Sequence, residues 1–269
     1  MHRYFDSWTL ADRTAMHHAA ANGELLLLQS LIAQDGNVNK STMDGETPLH
    51  EACLQGRYYC ARMLINAGSA VNARNIDGAT PLCDACVSGS VECVKLLLDH
   101  GAEVNPHLLS ASPLHEAAMR GNWECMELLI EAGANLEASD CHYGTPLHIA
   151  CFKQCPKSVD VLLKAGANVN AAKILETPLH RVAKYNNLPM IQRLLEFGAD
   201  ITRKDNKELR PIDYSKGDAK ELLHYWQSHP PPLLHMCRHT IRRILSCGKL
   251  KHIDQLQLPT LLLNYLKFA

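Results

Sequence analysis

From Thr14 onward the hydrophobic positions alternate between two short patterns. The first opens with a hydroxyl residue, proline and leucine, then runs through small apolar residues to a glycine, as in "TPLHEACLQG" from Thr47. The second, such as "VECVKLLLDH" from Val91, places apolar residues three and four apart and stops at the next glycine. Both predict short helices. The hydroxyl caps free N–H groups, proline in the first turn loses no donor, and glycine accepts the left-handed backbone that ends the helix. The polar residues that follow predict an extended loop to the next unit.

These pairs repeat. "TPLHEACLQG" returns as "TPLCDACVSG" from Thr80, "SPLHEAAMRG" from Ser112, "TPLHIACFKQ" from Thr145 and "TPLHRVAKYN" from Thr177, at steps of 33, 32, 33 and 32 residues. Weaker copies, "TAMHHAAANG" from Thr14 and "RPIDYSKGDA" from Arg210, lie 33 residues outside these five, so the array has about seven units. A glycine recurs 21 residues into the units, at Gly68, Gly101, Gly133, Gly166 and Gly198, often before a Val-Asn pair such as Val71-Asn72 or Val104-Asn105.

Over roughly residues 10–225 the chain resembles the ankyrin repeat, whose T-P-L-H start, antiparallel helix pair and projecting hairpin recur here in register. The resemblance implies an all-α ankyrin-repeat solenoid of about six full repeats and a partial capping repeat, with hairpin loops. Gln154 and Asn186 replace the turn glycine in two units. Asn tolerates the left-handed region and Gln does so less readily, which predicts a departure from the usual turn around Gln154 to Pro156.

Composition adds little against this organisation. The 269 residues are 46% hydrophobic and 20% charged, ordinary for a folded chain, and a formal charge of -1 gives no global attraction to nucleic acid or an anionic membrane. The start "MHRYFDSWTLADR" has no apolar run behind its basic residue, and no stretch is long enough to span a bilayer. The expectation is an intracellular protein, cytoplasmic with nuclear residence also open, and no membrane or nucleic-acid partner.

Repeat position absorbs most of the reactive residues. The eleven cysteines sit largely in helical patterns and read as small buried hydrophobes of a reducing compartment. Cys83-x-x-Cys86 has metal-like spacing, yet Cys83 takes the slot of His50 and His148, and Cys86 that of Cys53 and Cys151. His17, His50, His115, His148 and His180 are each fourth in their unit's motif, suited to hydrogen bonding between neighbouring units. No GxSxG, HExxH, P-loop or GxGxxG pattern occurs, and no cysteine has a local setting that suggests a lowered pKa. No catalytic residue, metal or cofactor is expected.

Two loops break the polar rule. "NPHLLSAS" from Asn105 and "NAAKILET" from Asn170 have lost the Asp-Gly turn and put Leu108, Leu109, Ile174 and Leu175 where solvent is expected; the finger between them carries His142 and Tyr143. Either this strip binds a substrate protein or its leucines fold back onto neighbouring loops. Trp123, which shares its slot with Tyr58 and Val91, reads as helix packing.

After Arg210 the repeat decays, and "KELLHYWQSHPPP" closes a last helix before three prolines. This places an ankyrin domain at residues 10–229 and a second module at 230–269. In the latter, Leu233, Cys237, Ile241 and Leu245 recur every fourth residue, with Met236 beside them, as one helical stripe. Gly248 and Pro259 divide the module into three short helices, and forty residues rarely hold a core alone. The module resembles the SOCS box of the ankyrin-repeat and SOCS-box family: Leu233, Cys237 and Ile241 fit L-x-x-x-C-x-x-x-[AIL], followed in order by Leu256, Leu258 and Pro259 of a cullin-5 box, in which Gln257 stands where a first proline is common.

That resemblance implies that Leu233, Met236, Cys237 and Ile241 bind elongin C, joined to elongin B, and that Leu256, Leu258 and Pro259 bind cullin-5 with its RING-box subunit. The chain is then the non-enzymatic substrate receptor of a ubiquitin ligase, holding a substrate protein on its repeats. The competing reading is a non-degradative ankyrin scaffold whose tail packs on its own last repeat.

Overall fold

The computed structural model of the chain describes residues 12–34, 36–106, 112–140, 142–229, 241 and 259–267. Among these the regular structure is helical, with two isolated antiparallel bridges at loop tips. The chain divides into two compact units, residues 1–134 and 135–269.

The first unit holds four helix pairs: α1 (Ala15–Asn22) with α2 (Leu25–Ala33), α3 (Pro48–Leu54) with α4 (Tyr58–Asn66), α5 (Pro81–Ser88) with α6 (Val91–Asp99), and α7 (Pro113–Arg120) with α8 (Trp123–Glu131). First helices pack in one row and second helices in another, α1 on α3 on α5 on α7, and α2 on α4 on α6 on α8. Leu49, Leu82 and Leu114 of the opening motifs are buried, as are Leu64, Leu97 and Leu129 of the second helices. Ala52, Ala85 and Ala117 let neighbouring helices approach, and Cys53 and Cys86 fill the next slot, fully covered.

The second unit repeats the scheme with α9 (Pro146–Phe152) and α10 (Pro156–Ala165), α11 (Pro178–Lys184) and α12 (Leu188–Glu196), then α13 (Pro211–Tyr214) and α14 (Gly217–Ser228). Leu147 and Leu179 of its first helices and Leu162 and Leu194 of its second helices are buried in the same slots. A further helix, α15 (Thr260–Lys267), begins directly after Pro259 and buries Leu266.

Two polar ladders join successive repeats. In the first, the backbone N–H of Thr47 donates to His50 Nδ1 (3.1 Å), which leaves Nε2 as the protonated nitrogen, and Nε2 donates to the Ala79 carbonyl of the next repeat (3.3 Å). His17 reaches Glu46 in the same way (3.0 Å), His148 reaches Glu176 (3.2 Å) and His180 reaches Leu209 (3.2 Å). The slot expectation for these histidines therefore holds. In the second ladder, Asn39, Asn72, Asn105 and Asn170 donate their side-chain amides to the carbonyls of Gly68, Gly101, Gly133 and Gly198 (2.9–3.1 Å). This is what the recurrent asparagine of the Val-Asn pair does.

One sequence expectation fails. Gln154 keeps the ordinary left-handed turn (φ 55°), as Asn186 does (φ 53°). Its own side chain supplies the compensation: Nε2 donates to the Cys151 carbonyl that closes α9, and Oε1 accepts from Asn187 (both 2.7 Å). The hydrogen bonds offset the steric penalty that makes Gln uncommon there.

Burial holds His148 and His180 below the ordinary histidine pKa. The unfolded chain binds their protons more readily, so stability is complete above the unfolded pKa and is lost as pH falls through it. The melting temperature should drop between about pH 7 and pH 5. In His148→Gln/His180→Gln, Gln can still close the capping box but neither titrates nor reaches the next repeat; circular dichroism should find a lower melting temperature at neutral pH and a flatter acid limb.

Candidate functional site

The finger after α10 is a two-residue hairpin. Lys173 and Glu176 exchange both backbone hydrogen bonds (2.9 Å each), and Ile174 (φ 48°) and Leu175 (φ 66°) form the tip, both left-handed. Positive φ at both central positions is the type I′ turn, normally made by Asn-Gly. Here a β-branched residue and a leucine occupy it, at roughly 1–2 kcal/mol each. Their side chains are 73% and 59% exposed, so they project and do not fold back.

Below that tip lies a chain of aromatic and charged contacts on α9 and α11. His142 is exposed on the preceding finger, while Tyr143 is half-buried with its ring 6.0 Å from that of Phe152. Arg181 lies over the same Phe152 ring (5.4 Å), and Lys153 approaches it too (5.9 Å). Arg181 and Lys184 share one carboxylate, Glu176, at 3.2 and 2.8 Å. Lys184 also sits 4.6 Å over the ring of Tyr214, whose hydroxyl donates to Asp205. Flat rings and a bound carboxylate hold long cations that would otherwise be mobile.

In the first unit, Glu46, His50 and Asp84 bring potential ligand atoms within 4.8 Å of one another. Both ring nitrogens of His50 already serve the capping box and the Ala79 carbonyl, and Asn75 donates to Glu46 (2.8 Å). The cluster is part of the repeat ladder. The thiols divide by environment. Burial raises Cys83 to about 11 and Cys125 to about 11, and pushes Cys86 and Cys151 up as well. Cys93 departs from the expectation that no cysteine is acidified: a hydrogen bond from the Cys53 thiol lowers its pKa and raises that of Cys53. Two spatially adjacent thiols from different repeats are invisible to local sequence, and both are fully covered.

Ankyrin-repeat family models match residues 16–108, 106–173 and 162–215, and a SOCS-box model matches 229–267. Human and mouse Ankyrin repeat and SOCS box protein 13 are each 64% identical over 259 residues, which covers 96% of this chain and 93% of each relative. The chain belongs to the ankyrin-repeat and SOCS-box family.

Human protein 5 of that family matches a shorter stretch, 44% identical over 98 residues, 36% of this chain and 30% of the relative. Among solved structures, the ankyrin-repeat domain of human ASB11 is similar at a TM-score of 0.75 and 41% identity, covering 82% of this chain and all of that one. The ankyrin-repeat domain of Bcl-3 is similar at 0.67 and 28%, covering 79% and 98%. Both agree with the all-helical ankyrin-repeat fold. No helix among the described residues is long and apolar enough to cross a membrane.

Within this ankyrin-repeat and SOCS-box chain, His142 and Tyr143 lie ring edge to ring on one finger of the second unit (centroids 6.5 Å apart), and Ile174 and Leu175 form the tip of the next. Leu108 and Leu109 lie outside the described residues, as do Leu233, Met236, Cys237, Leu256 and Leu258. Ile241 is 39% exposed, and Pro259 is exposed ahead of α15. Sequence reasoning missed Phe152, Lys153, Arg181 and Lys184. A signal existed: Arg181 stands where Glu51, Asp84 and Glu116 stand in earlier repeats, and Lys184 where Leu54, Val87 and Met119 do. Exposed apolar tips are also not confined to the two loops singled out by sequence: Met43 and Ile76, in loops otherwise polar, are 88% and 70% exposed.

Replacing the tip by the residues its geometry favours, Ile174→Asn/Leu175→Gly, should relieve left-handed strain of about 1–2 kcal/mol per residue and raise the melting temperature by a few degrees. An unchanged or lower value would show that the tip is unstrained or held by contacts. In native thiol labelling near pH 8 with peptide mapping, Cys155, half-exposed, should react ahead of Cys53, Cys86, Cys93 and Cys151, which react only on unfolding.

Proposed function

We propose that this protein is the substrate-recognition subunit of an elongin B/C–cullin-5–RING-box ubiquitin ligase. Residues 10–229 hold a target protein, and residues 230–269 recruit the ligase for its ubiquitination and proteasomal degradation. The observation that carries the reading is the SOCS-box match at residues 229–267, directly behind ankyrin repeats, in a chain of that family. The Leu233, Cys237, Ile241 pattern supports the elongin half. A leucine anchor inserts into a pocket, and a small cysteine one turn later admits the partner's backbone. The finger-and-helix face of the second unit supports the substrate half, since it is exposed, apolar at its tip and supplied with fixed cations.

The receptor forms no bond itself. It raises the concentration of substrate lysines near the ubiquitin thioester carried by the RING-bound conjugating enzyme, so rate comes from proximity and orientation. Leu256, Leu258 and Pro259 form the cullin-5 contact, with Gln257 the point at which affinity departs from that of a two-proline box. Such a receptor works in the cytoplasm and is compatible with the nucleus.

Co-expression with elongins B and C should yield a stable complex that recovers cullin-5, and Gln257→Pro should tighten the cullin step alone. Burying one leucine contributes about 1.5–3 kcal/mol, so Leu233→Ala should weaken elongin recovery by about ten-fold to a hundred-fold. Recovery of neither elongin would leave the chain as a non-degradative scaffold.

A further inference from the structure

The cations on the helix face of the second unit outnumber the acids that face them. Lys153 and Arg181 lie over Phe152, and Arg181 and Lys184 share Glu176, the one carboxylate that pairs with any of the three among the described residues. The neighbouring acids are already committed. Asp205 is buried and accepts from Tyr214, Lys207 and Leu209, and Asp213 pairs with Arg210 at 3.6 Å. Each cation keeps exposed area: 25% of the Arg181 side chain, 34% of the Lys184 side chain, and Lys153 is exposed. Part of their positive charge is therefore left for an outside anion.

The arrangement is not a by-product of the repeat. The slot of Arg181 is acidic in three earlier repeats, at Glu51, Asp84 and Glu116, and the slot of Lys184 is apolar in all five, at Ala21, Leu54, Val87, Met119 and Phe152. Two adjacent features reinforce the reading. Arg181 is held over Phe152 and tied to Glu176, so its remaining N–H groups can meet a second carboxylate without a large ordering cost. The exposed apolar tip of Ile174 and Leu175 belongs to the hairpin that supplies Glu176.

We propose that this face binds an acidic segment of a protein, its carboxylates on Lys153, Arg181 and Lys184 and an apolar side chain against the Ile174–Leu175 tip. Given the receptor reading above, this is the chemical class of the degradation signal it takes. The charge complementarity selects the partner: an acidic chain gains from all three cations, and a basic one would meet uncompensated repulsion. Nucleic acid fits less well. Phe152 and Tyr214 are covered on a face by cations, and Tyr143 is half-buried with its ring tilted against Phe152, so they offer no open platform for bases.

The test is selection of a random-peptide display library on the full-length chain. Recovered peptides should carry Asp and Glu in excess over Lys and Arg, interspersed with aliphatic or aromatic residues. Synthetic copies should bind by fluorescence anisotropy, more weakly as sodium chloride rises from about 50 to 300 mM. Lys153→Glu/Arg181→Glu/Lys184→Glu should lose at least about ten-fold in affinity with an unchanged circular dichroism spectrum, and Lys95→Glu in the first unit should lose none. Ile174→Asn/Leu175→Gly should weaken binding without lowering the melting temperature.

Failure to recover any peptide, recovery of neutral or basic ones, or indifference to the charge reversal would overturn the proposal. So would displacement of the peptide by a single-stranded thymidine oligonucleotide in preference to acidic competitors. Elongin recovery by the triple variant is measured separately. In the unaltered chain, elongin recovery without acidic-peptide binding refutes this site alone, and acidic-peptide binding without elongin recovery refutes the receptor reading alone.

Discussion

A single ankyrin helix pair buries too little of itself to be stable, so everything here depends on how one repeat is fastened to the next. The histidine of the opening motif makes that fastening directional. Its Nδ1 accepts from the hydroxyl residue's own N–H, which fixes both the ring and the tautomer, and the proton left on Nε2 points at the next repeat's finger. One side chain thus completes a helix cap and a tertiary contact. A proton added to Nδ1 would break the cap and put charge into a covered site. The asparagine ladder on the opposite side of the loop does the same task with an uncharged group, donating to a glycine carbonyl and accepting from the backbone two residues beyond, as Asn72 does between Gly101 and Glu103.

Because the ladders occupy fixed slots, the surface between them is free to vary. Repeat position explains why Cys53, Cys86 and Cys151 are buried, why Cys83 can replace a histidine with only Thr80 as its partner (3.6 Å), and why glycine recurs. It does not explain Arg181 or Lys184, which depart from what their slots hold elsewhere. The residues available for binding are those that the stacking constraint does not determine. Glu176 shows the two demands meeting: its carbonyl accepts from His148 as a ladder member, while its carboxylate gathers two cations on the outer face.

This division also governs what the sequence could reveal. The helices, their caps, the buried leucine columns and the cross-repeat histidines were legible because each is repeated, so that one correct reading of Thr47 to Gly56 carries to five other units. The left-handed Gln154 was not, because its compensation comes from a side chain contact with Asn187, one repeat away. Nor was the Cys53–Cys93 pair, or the meeting of Phe152 with Arg181, since residues of different repeats become neighbours only after the repeats stack. The apolar stripe from Leu233 to Leu245 lies, except for Ile241, outside the described residues. Periodicity specifies which residues share a side and says nothing of what covers them.

The finger tip at Ile174 and Leu175 joins these strands. Asn-Gly would satisfy the same hairpin without left-handed strain, and a fold selected for stability alone has no use for exposed aliphatic side chains in that conformation. The repeat framework can hold them because the flanking pair is anchored twice, by the Lys173–Glu176 bridge and by the His148 bond to Glu176. Strain is thus confined to two residues whose neighbours are over-determined. What the tip gains in return is apolar surface presented rigidly beside fixed cations, a combination in which binding costs little side-chain entropy. A loop that lost this anchoring would show the same residues to solvent but would have to order them on each encounter.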